Sequence, residues 1–348
     1  MKILLYSPAF LPSVGGLELG VASLARELGS LGHAVVVMTE TPGSWHEPLP
    51  FAVIRRPSRR SSLAWMRWCE VFFQANVSLR GLWPLLLVPR PWAVSHHSWY
   101  CQVNGRIALR DRLKRGLLRL ACCSVAVSEA MARELATTWP RHRPQVIPNS
   151  YRSETFRLLP EVAREKELIF VGRLVSDKGA DFLLEALALL AEEGLRPRLT
   201  IVGEGPEKAP LEAQVSRLGL ISQLTFIGLV TGSALARELN AHHILVVPSR
   251  YAEPFGVVAL EGIACGCAVV GSKGGGLPEA IGPCGLLFEN SDVAGLAACL
   301  RRLLSSPEEV ARLLERSAEH LARHQPDKVA AAYVRALGPC LRPQEGLS

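Results

Sequence analysis

Short apolar, β-branched runs alternate with helical stretches along the chain, and they do so in two successive series. In the first, ILLY (3–6), HAVVVMT (33–39), FAVI (51–54), WAVS (92–95), SVAV (124–127) and QVIP (145–148) read as strands. LELGVASLAREL (17–28) reads as a helix, because Leu17, Val21, Leu24 and Leu28 fall on one face. Through 51–95 strand and helix signals overlap. The second series opens at ELIFVG (167–172) and the helical DFLLEALALLAEE (181–193). It continues through RLTIVG (198–203), LTFIG (224–228), HILVVPS (243–249) and CAVVGS (267–272). A helix between each pair of strands carries the chain back to its starting edge, so the strands run parallel. The pattern predicts an α/β chain of two doubly wound, Rossmann-like parallel-sheet domains, 1–160 and 161–325. The polar stretch 152–166 reads as the linker, and 326–348 as a C-terminal helix and tail crossing back to the first domain. Ligands of such sheets bind beyond the carboxyl ends of the strands, so the expected site is a cleft between the halves.

With 348 residues, 49% apolar and 20% charged, the composition is that of a globular protein. The nine cysteines are odd in number and form no CxxC pair, which argues against zinc and for a reduced compartment. Cys265 and Cys267 form a CxC around Gly266, too little for a metal site. MKILLYSPAF is broken by Pro8 and does not read as a leader. LWPLLLV (82–88) is far shorter than the ~20 residues of a spanning helix. The expectation is a cytoplasmic chain, peripheral at most on the inner face of a membrane. Charge sharpens this point. Residues 51–120 hold thirteen Lys or Arg against two acids, Glu70 and Asp111, in a chain of net charge +7. Five of the seven tryptophans lie in the same segment: Trp65, Trp68, Trp83, Trp92 and Trp99. Cations interleaved with tryptophans suit an anionic membrane surface; the plainer reading is a solvated face with ordinary core tryptophans.

The chemistry-bearing residues cluster where strands end. EPFGVVALE (253–261) follows the strand HILVVPS. Pro254 suits a first helical turn, and Gly256 lets the backbone approach a ligand. The N–H groups of Phe255, Gly256 and Val257 then face an anion at a helix start. Glu253 lies before that helix and Glu261 inside it, on either side of any bound diphosphate, where carboxylates can accept paired sugar hydroxyls. In VGRLVSDKGAD (171–181), Arg173 and Lys178 follow another strand and suit phosphate oxygens. GEGP (203–206) puts Gly203, Glu204 and Gly205 at a third strand end, where the backbone passes close to a ligand, and SKGGGLPE (272–279) closes a fourth. In the first half, SVGGLE (13–18) offers Gly15 and Gly16 as a phosphate or sugar cradle, without the GxGxxG spacing. Glu40, at the end of the second strand, keeps a nicotinamide enzyme among the alternatives. His96 and His97 follow WAVS and face opposite ways, so one of them reaches the cleft.

VPSRYAEPFGVVALEGIACGCAVVGSKGGGLPEAIG (247–282) resembles the C-terminal signature of the retaining glycosyltransferases of family 4, which have the GT-B fold. VGRLVSDKG resembles that family's diphosphate clamp, SVGGLE its glycine loop, VAVSEAM its serine-led helix and VIPNS the segment before its linker. The family often has PNG there; this chain has Pro148-Asn149-Ser150, which puts the role of that loop in doubt. The resemblance implies that Arg173 and Lys178 hold the donor diphosphate, Glu261 the ribose and Glu253 the transferred sugar. It places His97 beside the reacting carbon. It also implies a metal-independent hexosyltransferase with no cofactor beyond its nucleoside-diphosphate-sugar donor. The acceptor would be a glycan or lipid-linked sugar, with no nucleic acid among the partners. A sugar-nucleotide epimerase of the same fold and a non-catalytic sugar-nucleotide binder are the competing readings.

Overall fold

The computed structural model describes residues 1–13, 15–45, 48–99, 109–138 and 143–341. Two compact units emerge: one built from 1–150 together with 324–348, the other from 151–323. In the first, seven strands form one sheet: β1 (Lys2–Ser7), β2 (Ala34–Thr39), β3 (Ala52–Arg55), β4 (Val71–Ala75), β5 (Trp92–His96), β6 (Cys123–Ala126) and β7 (Gln145–Val146). Their order is β3-β2-β1-β4-β5-β6-β7, with every pairing parallel. The second unit holds β8 (Lys166–Val171), β9 (Leu199–Val202), β10 (Leu224–Gly228), β11 (His242–Val247), β12 (Ala268–Ser272) and β13 (Gly285–Phe288). Their order is β10-β9-β8-β11-β12-β13, again all parallel. Both sheets repeat one winding: three strands progress outward, then the chain returns to the far side of the first.

Two strands go beyond the sequence expectation. β4, central in the first sheet, is VFFQA, and all five of its residues are buried. A strand covered on both faces shows no alternation, so periodicity cannot separate it from a buried helical turn. β13 is a short edge strand of four residues. The stretch 152–166 is not a free linker. Leu159 N–H donates to Asn240 Oδ1 (2.9 Å), and Asn240 Nδ2 donates to the Arg157 carbonyl (2.9 Å). Arg164 donates to the carbonyls of His242 and Cys265. These bonds fasten the stretch to the second unit and move its boundary to Tyr151.

The helix Pro326–Leu337 packs against the helix Gly16–Ser30 of the first unit. Tyr333 meets the ring of Phe73 edge-on at 5.6 Å, and Val329, Ala336 and Leu337 enter the same core. Where the chain passes between units, His324 Nδ1 lies 3.1 Å from the Asn149 carbonyl. One cysteine pair departs from the reduced thiols that a reducing compartment would favour. Cys122 and Cys340 form a disulfide, because this C-terminal segment brings two residues 218 apart in sequence to a Cα separation of 5.5 Å. Cys265 and Cys267 are fully buried thiols, both pushed up to about 12 by burial, and the Cys267 Sγ donates to the Leu239 carbonyl at 3.0 Å.

In the basic segment, Trp92 joins the core at the start of β5, while Trp65 and Trp68 stack edge-on at 5.4 Å on the half-buried face of one helix. Residues 100–108 of that segment lie outside the described residues.

Gly203 illustrates how tightly the strand ends pack. Its φ is +148°, and a Cβ there would stand 1.8 Å from the Gly172 carbonyl oxygen. Gly203→Ala is therefore expected to lower the unfolding free energy by at least about 2 kcal/mol. Gly29→Ala, where a Cβ meets nothing within 4 Å, should be neutral or stabilising. Urea unfolding of both variants checks the contrast, and equal effects would refute this packing account.

Candidate functional site

The order of the second sheet reverses between β8 and β11. Beyond β8 come Gly172, Arg173 and a single 3-10 turn, Ser176–Lys178, before the helix Ala180–Glu192. Beyond β11 the chain runs through Pro248–Gly256 into the helix Val257–Ala264. Glu253 is held at this junction by its backbone. Its carbonyl accepts the Gly276 N–H at 2.8 Å, and it forms a parallel bridge with Gly275. The residue is only 9% exposed. One carboxylate oxygen, Oε1, accepts both Lys178 Nζ (2.5 Å) and Ser249 Oγ (2.7 Å). Lys178 and Glu253, 75 residues apart in sequence, thus form one cluster. Arg173 is exposed, and its guanidinium has no hydrogen-bond or ion-pair partner among the described residues. An available cation and a paired one that follow the same strand suit a doubly charged phosphate group.

The helix after β11 starts later than its sequence suggests. Gly256 is the N-cap with φ +101°, so Pro254 precedes the first turn instead of filling it. A Cβ on Gly256 would come within 2.6 Å of Leu277 Cδ1, and Phe255 is buried at 2% exposure. Val257 then opens the helix, whose first N–H groups lack intrahelical acceptors and carry the positive end of its dipole. At the third strand end the expectation changes. Gly203 and Gly205 are glycines because the carbonyls of Gly172 and Leu174 occupy the space a Cβ would need, so protein backbone, not a ligand, is what they admit. Glu204 is exposed and paired with Lys208 at 3.0 Å.

Glu261 lies one turn into the same helix and is 9% exposed. Arg152 Nη2 stands 3.6 Å from its Oε1. Burial pushes the Glu261 carboxyl up to about 7, with the Arg152 charge acting in the opposite direction. Arg152 also lies over the Phe156 ring, 4.8 Å from its centroid.

In the first unit, Gly15 caps the helix Gly16–Ser30 and Gly16 begins it, with open space where its Cβ would be. The two histidines separate clearly. His96 is completely buried in β5, with Nε2 2.8 Å from Ser124 Oγ. His97 lies past the strand, its N–H bonded to Asn76 Oδ1 (2.7 Å) and its Nε2 2.8 Å from Ser95 Oγ. It lines a small cavity with Phe73, Asn149 and Tyr333. Burial holds the ring at about 4, hence neutral at ordinary pH. The Tyr333 hydroxyl reaches the same Ser95, and burial raises its phenol. Glu40 accepts the Tyr6 hydroxyl at 3.2 Å. Ser249, Arg152, Ser95 and Tyr333 were not singled out by sequence. Ser249 stands in the same strand-end loop as Glu253, which was the available signal; the others become neighbours only through folding.

Two doubly wound, all-parallel sheets that share one order over six strands, the first adding a seventh, constitute the GT-B architecture of glycosyltransferases. Two family models match in series, Glycosyltransferase Family 4 over residues 14–154 and Glycosyl transferases group 1 over residues 152–320; the chain belongs to this family of glycosyltransferases. A 2-deoxystreptamine glucosyltransferase of Streptomyces kanamyceticus is 28% identical over 308 residues, covering 78% of this chain and 79% of that protein. A glycogen synthase of Mycobacterium tuberculosis is 38% identical over 148 residues, 42% of this chain and 36% of that one. Among solved structures, Anabaena Alr3699/HepE in complex with UDP superposes with a TM-score of 0.81 at 20% identity, covering 97% and 100% of the two chains.

Removing Lys178 would leave Glu253 buried with the Ser249 hydroxyl still donating to it. Lys178→Ala is expected to cost about 1–3 kcal/mol of stability, and adding Glu253→Gln should recover most of it. A double-mutant cycle by chemical denaturation measures this; additive effects would mean that the pair is not coupled.

Proposed function

We propose that the protein is a retaining, metal-independent hexosyltransferase, moving a sugar from a nucleoside-diphosphate-sugar to a glycan or lipid-linked acceptor. The observation that carries this reading is the grouping at one strand-order reversal of an unpartnered Arg173, the Lys178–Glu253 pair and the start of the helix Val257–Ala264. Departure of a nucleoside diphosphate leaves charge on its phosphate oxygens. Arg173, Lys178 and the N–H groups at Val257 would neutralise it, work a metal ion does in other transferases. Electrostatic stabilisation of this kind is worth roughly 3–4 kcal/mol per donor in well-studied sites. Glu261 would accept ribose hydroxyls, and Glu253 would orient the sugar through its second oxygen. His97, neutral, would accept or donate one hydrogen bond to the sugar. Front-face displacement assisted by the leaving phosphate retains the anomeric configuration without a protein nucleophile. UDP is the favoured nucleotide, since a fold relative was solved in complex with UDP-glucose. No cofactor is needed.

On the acceptor side, Leu86 and Leu87 stand 82% and 66% exposed on a turn that packs against the helix Arg59–Trp68. Arg59, Arg60 and Arg67 on that helix are exposed, without ion-pair partners among the described residues. Such a surface suits an anionic leaflet on the cytoplasmic side, each cation there contributing about 1 kcal/mol.

Thermal shift with UDP, GDP and ADP tests the donor reading, because a ligand of the native state must raise stability. Arg173→Ala and Lys178→Ala are expected to lower turnover about tenfold to a hundredfold each. Transfer should persist in EDTA. Epimerised donor, or loss of transfer in EDTA restored by Mg²⁺, would overturn the reading. Vesicle co-sedimentation at low and high salt tests the membrane part. Binding to anionic vesicles that fades with salt is expected, and indifference to them at low salt refutes it.

A further inference from the structure

Glu261 sits where a carboxylate would be needed, yet its surroundings disfavour a charge. It is 9% exposed on a helix that packs against β11, β12 and three other helices. Among the described residues, Arg152 is the charged group that meets it, at 3.6 Å. The other titratable groups on the packed elements are directed elsewhere. Glu238 pairs with Lys166, Glu319 with Arg316, and Arg237 with Glu161. The His242 ring bonds Thr200 and the His320 ring the Ala280 carbonyl. Glu279 and His243 complete the set on those elements, and Cys265, at the end of the Glu261 helix, is a buried thiol.

Arg152 is placed more for its charge than for its hydrogen bonds. Its Nε is buried and has no hydrogen-bond partner among the described residues, while the guanidinium plane is fixed over the Phe156 ring. A guanidinium on an aromatic face keeps its charge and loses freedom, which suits a fixed counter-ion. The chemistry of a vicinal diol explains the need. A carboxylate offers two acceptor oxygens to two hydroxyls, whereas a protonated acid must spend one oxygen as a donor.

We propose that Arg152 is a further donor-site residue, a positioning counter-ion that keeps Glu261 ionised so that both its oxygens can accept the hydroxyl pair of a nucleotide ribose. This rests on the nucleotide-donor reading above. Arg152 touches Glu261 and acts through it. Bound nucleotide withdraws Glu261 further from water, which strengthens the demand for the nearby positive charge. Burial already holds the carboxyl near 7, so without Arg152 the neutral form would dominate well into the physiological range.

The test is calorimetric titration of the full chain with UDP at pH 6 and pH 8.5, comparing wild type, Arg152→Lys and Arg152→Gln. Below both pKa values, each unit by which the carboxyl rises costs about tenfold in the ionised fraction. Arg152→Gln is expected to bind UDP at least roughly tenfold more weakly at pH 6, with the deficit shrinking to a few-fold at pH 8.5. Arg152→Lys should stay near wild type at both. An Arg152→Gln deficit that is absent, or the same at both pH values, overturns the proposal, because a purely structural loss has no reason to follow the titration of Glu261. A second readout is independent of nucleotide: the Glu261 carboxyl titration, followed by ¹³C NMR against Glu261→Gln, should move upward in Arg152→Gln. An unmoved titration also overturns it. If wild type binds none of UDP, GDP and ADP, the donor reading falls, while the carboxyl titration still decides whether Arg152 governs the charge of Glu261.

Discussion

Between β8 and β11 the second sheet changes its direction of winding, and the segments leaving those two strands meet: the Arg250 N–H donates to the Asp177 carbonyl at 2.9 Å. Parallel strands joined by right-handed crossovers must all deliver their carboxyl ends to one edge, and ligands of such sheets bind at the point where the strand order reverses. The candidate chemistry depends on that constraint. Arg173 and Lys178 leave β8, and Ser249 and Glu253 leave β11. No stretch of sequence holds the four together; the register of β8 against β11, with Phe170 opposite Val246, does.

At this strand edge, burial and charge oppose one another. A buried ion pair adds little to stability, because the cost of desolvating two charges nearly cancels their attraction. Lys178 and Glu253 therefore contribute mainly a fixed geometry. The backbone of Glu253 is fixed by Gly275 and Gly276, and its carboxylate by Ser249 as well as Lys178, so the acid has few ways to move. Glu261 is treated differently: one cation at 3.6 Å opposes burial without reversing it. Two acids eight positions apart thus sit in different electrostatic settings.

Much of the fold was legible because periodicity and strand-end chemistry agreed. In the second unit, apolar runs bounded by glycine and helical stretches marked every strand but the edge strand β13. Glu253, Lys178 and Arg173 could be found because their strand-end positions were readable. In the first unit the all-apolar β4 offered no alternation, and its central place became visible only through pairing with β1 and β5. Gly203 shows the opposite failure. A glycine at a strand end signals a close approach, but sequence does not say to what, and here the partner is the Gly172 carbonyl. Arg152, Cys122 and Cys340 were unreadable for a common reason: the Arg152–Glu261 and Cys122–Cys340 partners lie 109 and 218 residues apart, and no local pattern encodes such distances.

The return of residues 324–341 to the first unit has a consequence for the order of events during synthesis. Residues 151–323 are contiguous, so the second unit can close as soon as they emerge. The first unit, although translated earlier, lacks Val329, Tyr333, Leu337 and Cys340 from its core until the second has been made. At roughly 5–20 residues per second, the nascent first sheet waits on the order of ten seconds or longer with the Phe73 side of its core uncovered. The half of the molecule that is born first is thus the half that matures last, and it is the one with most to gain from a holdase at the ribosome exit.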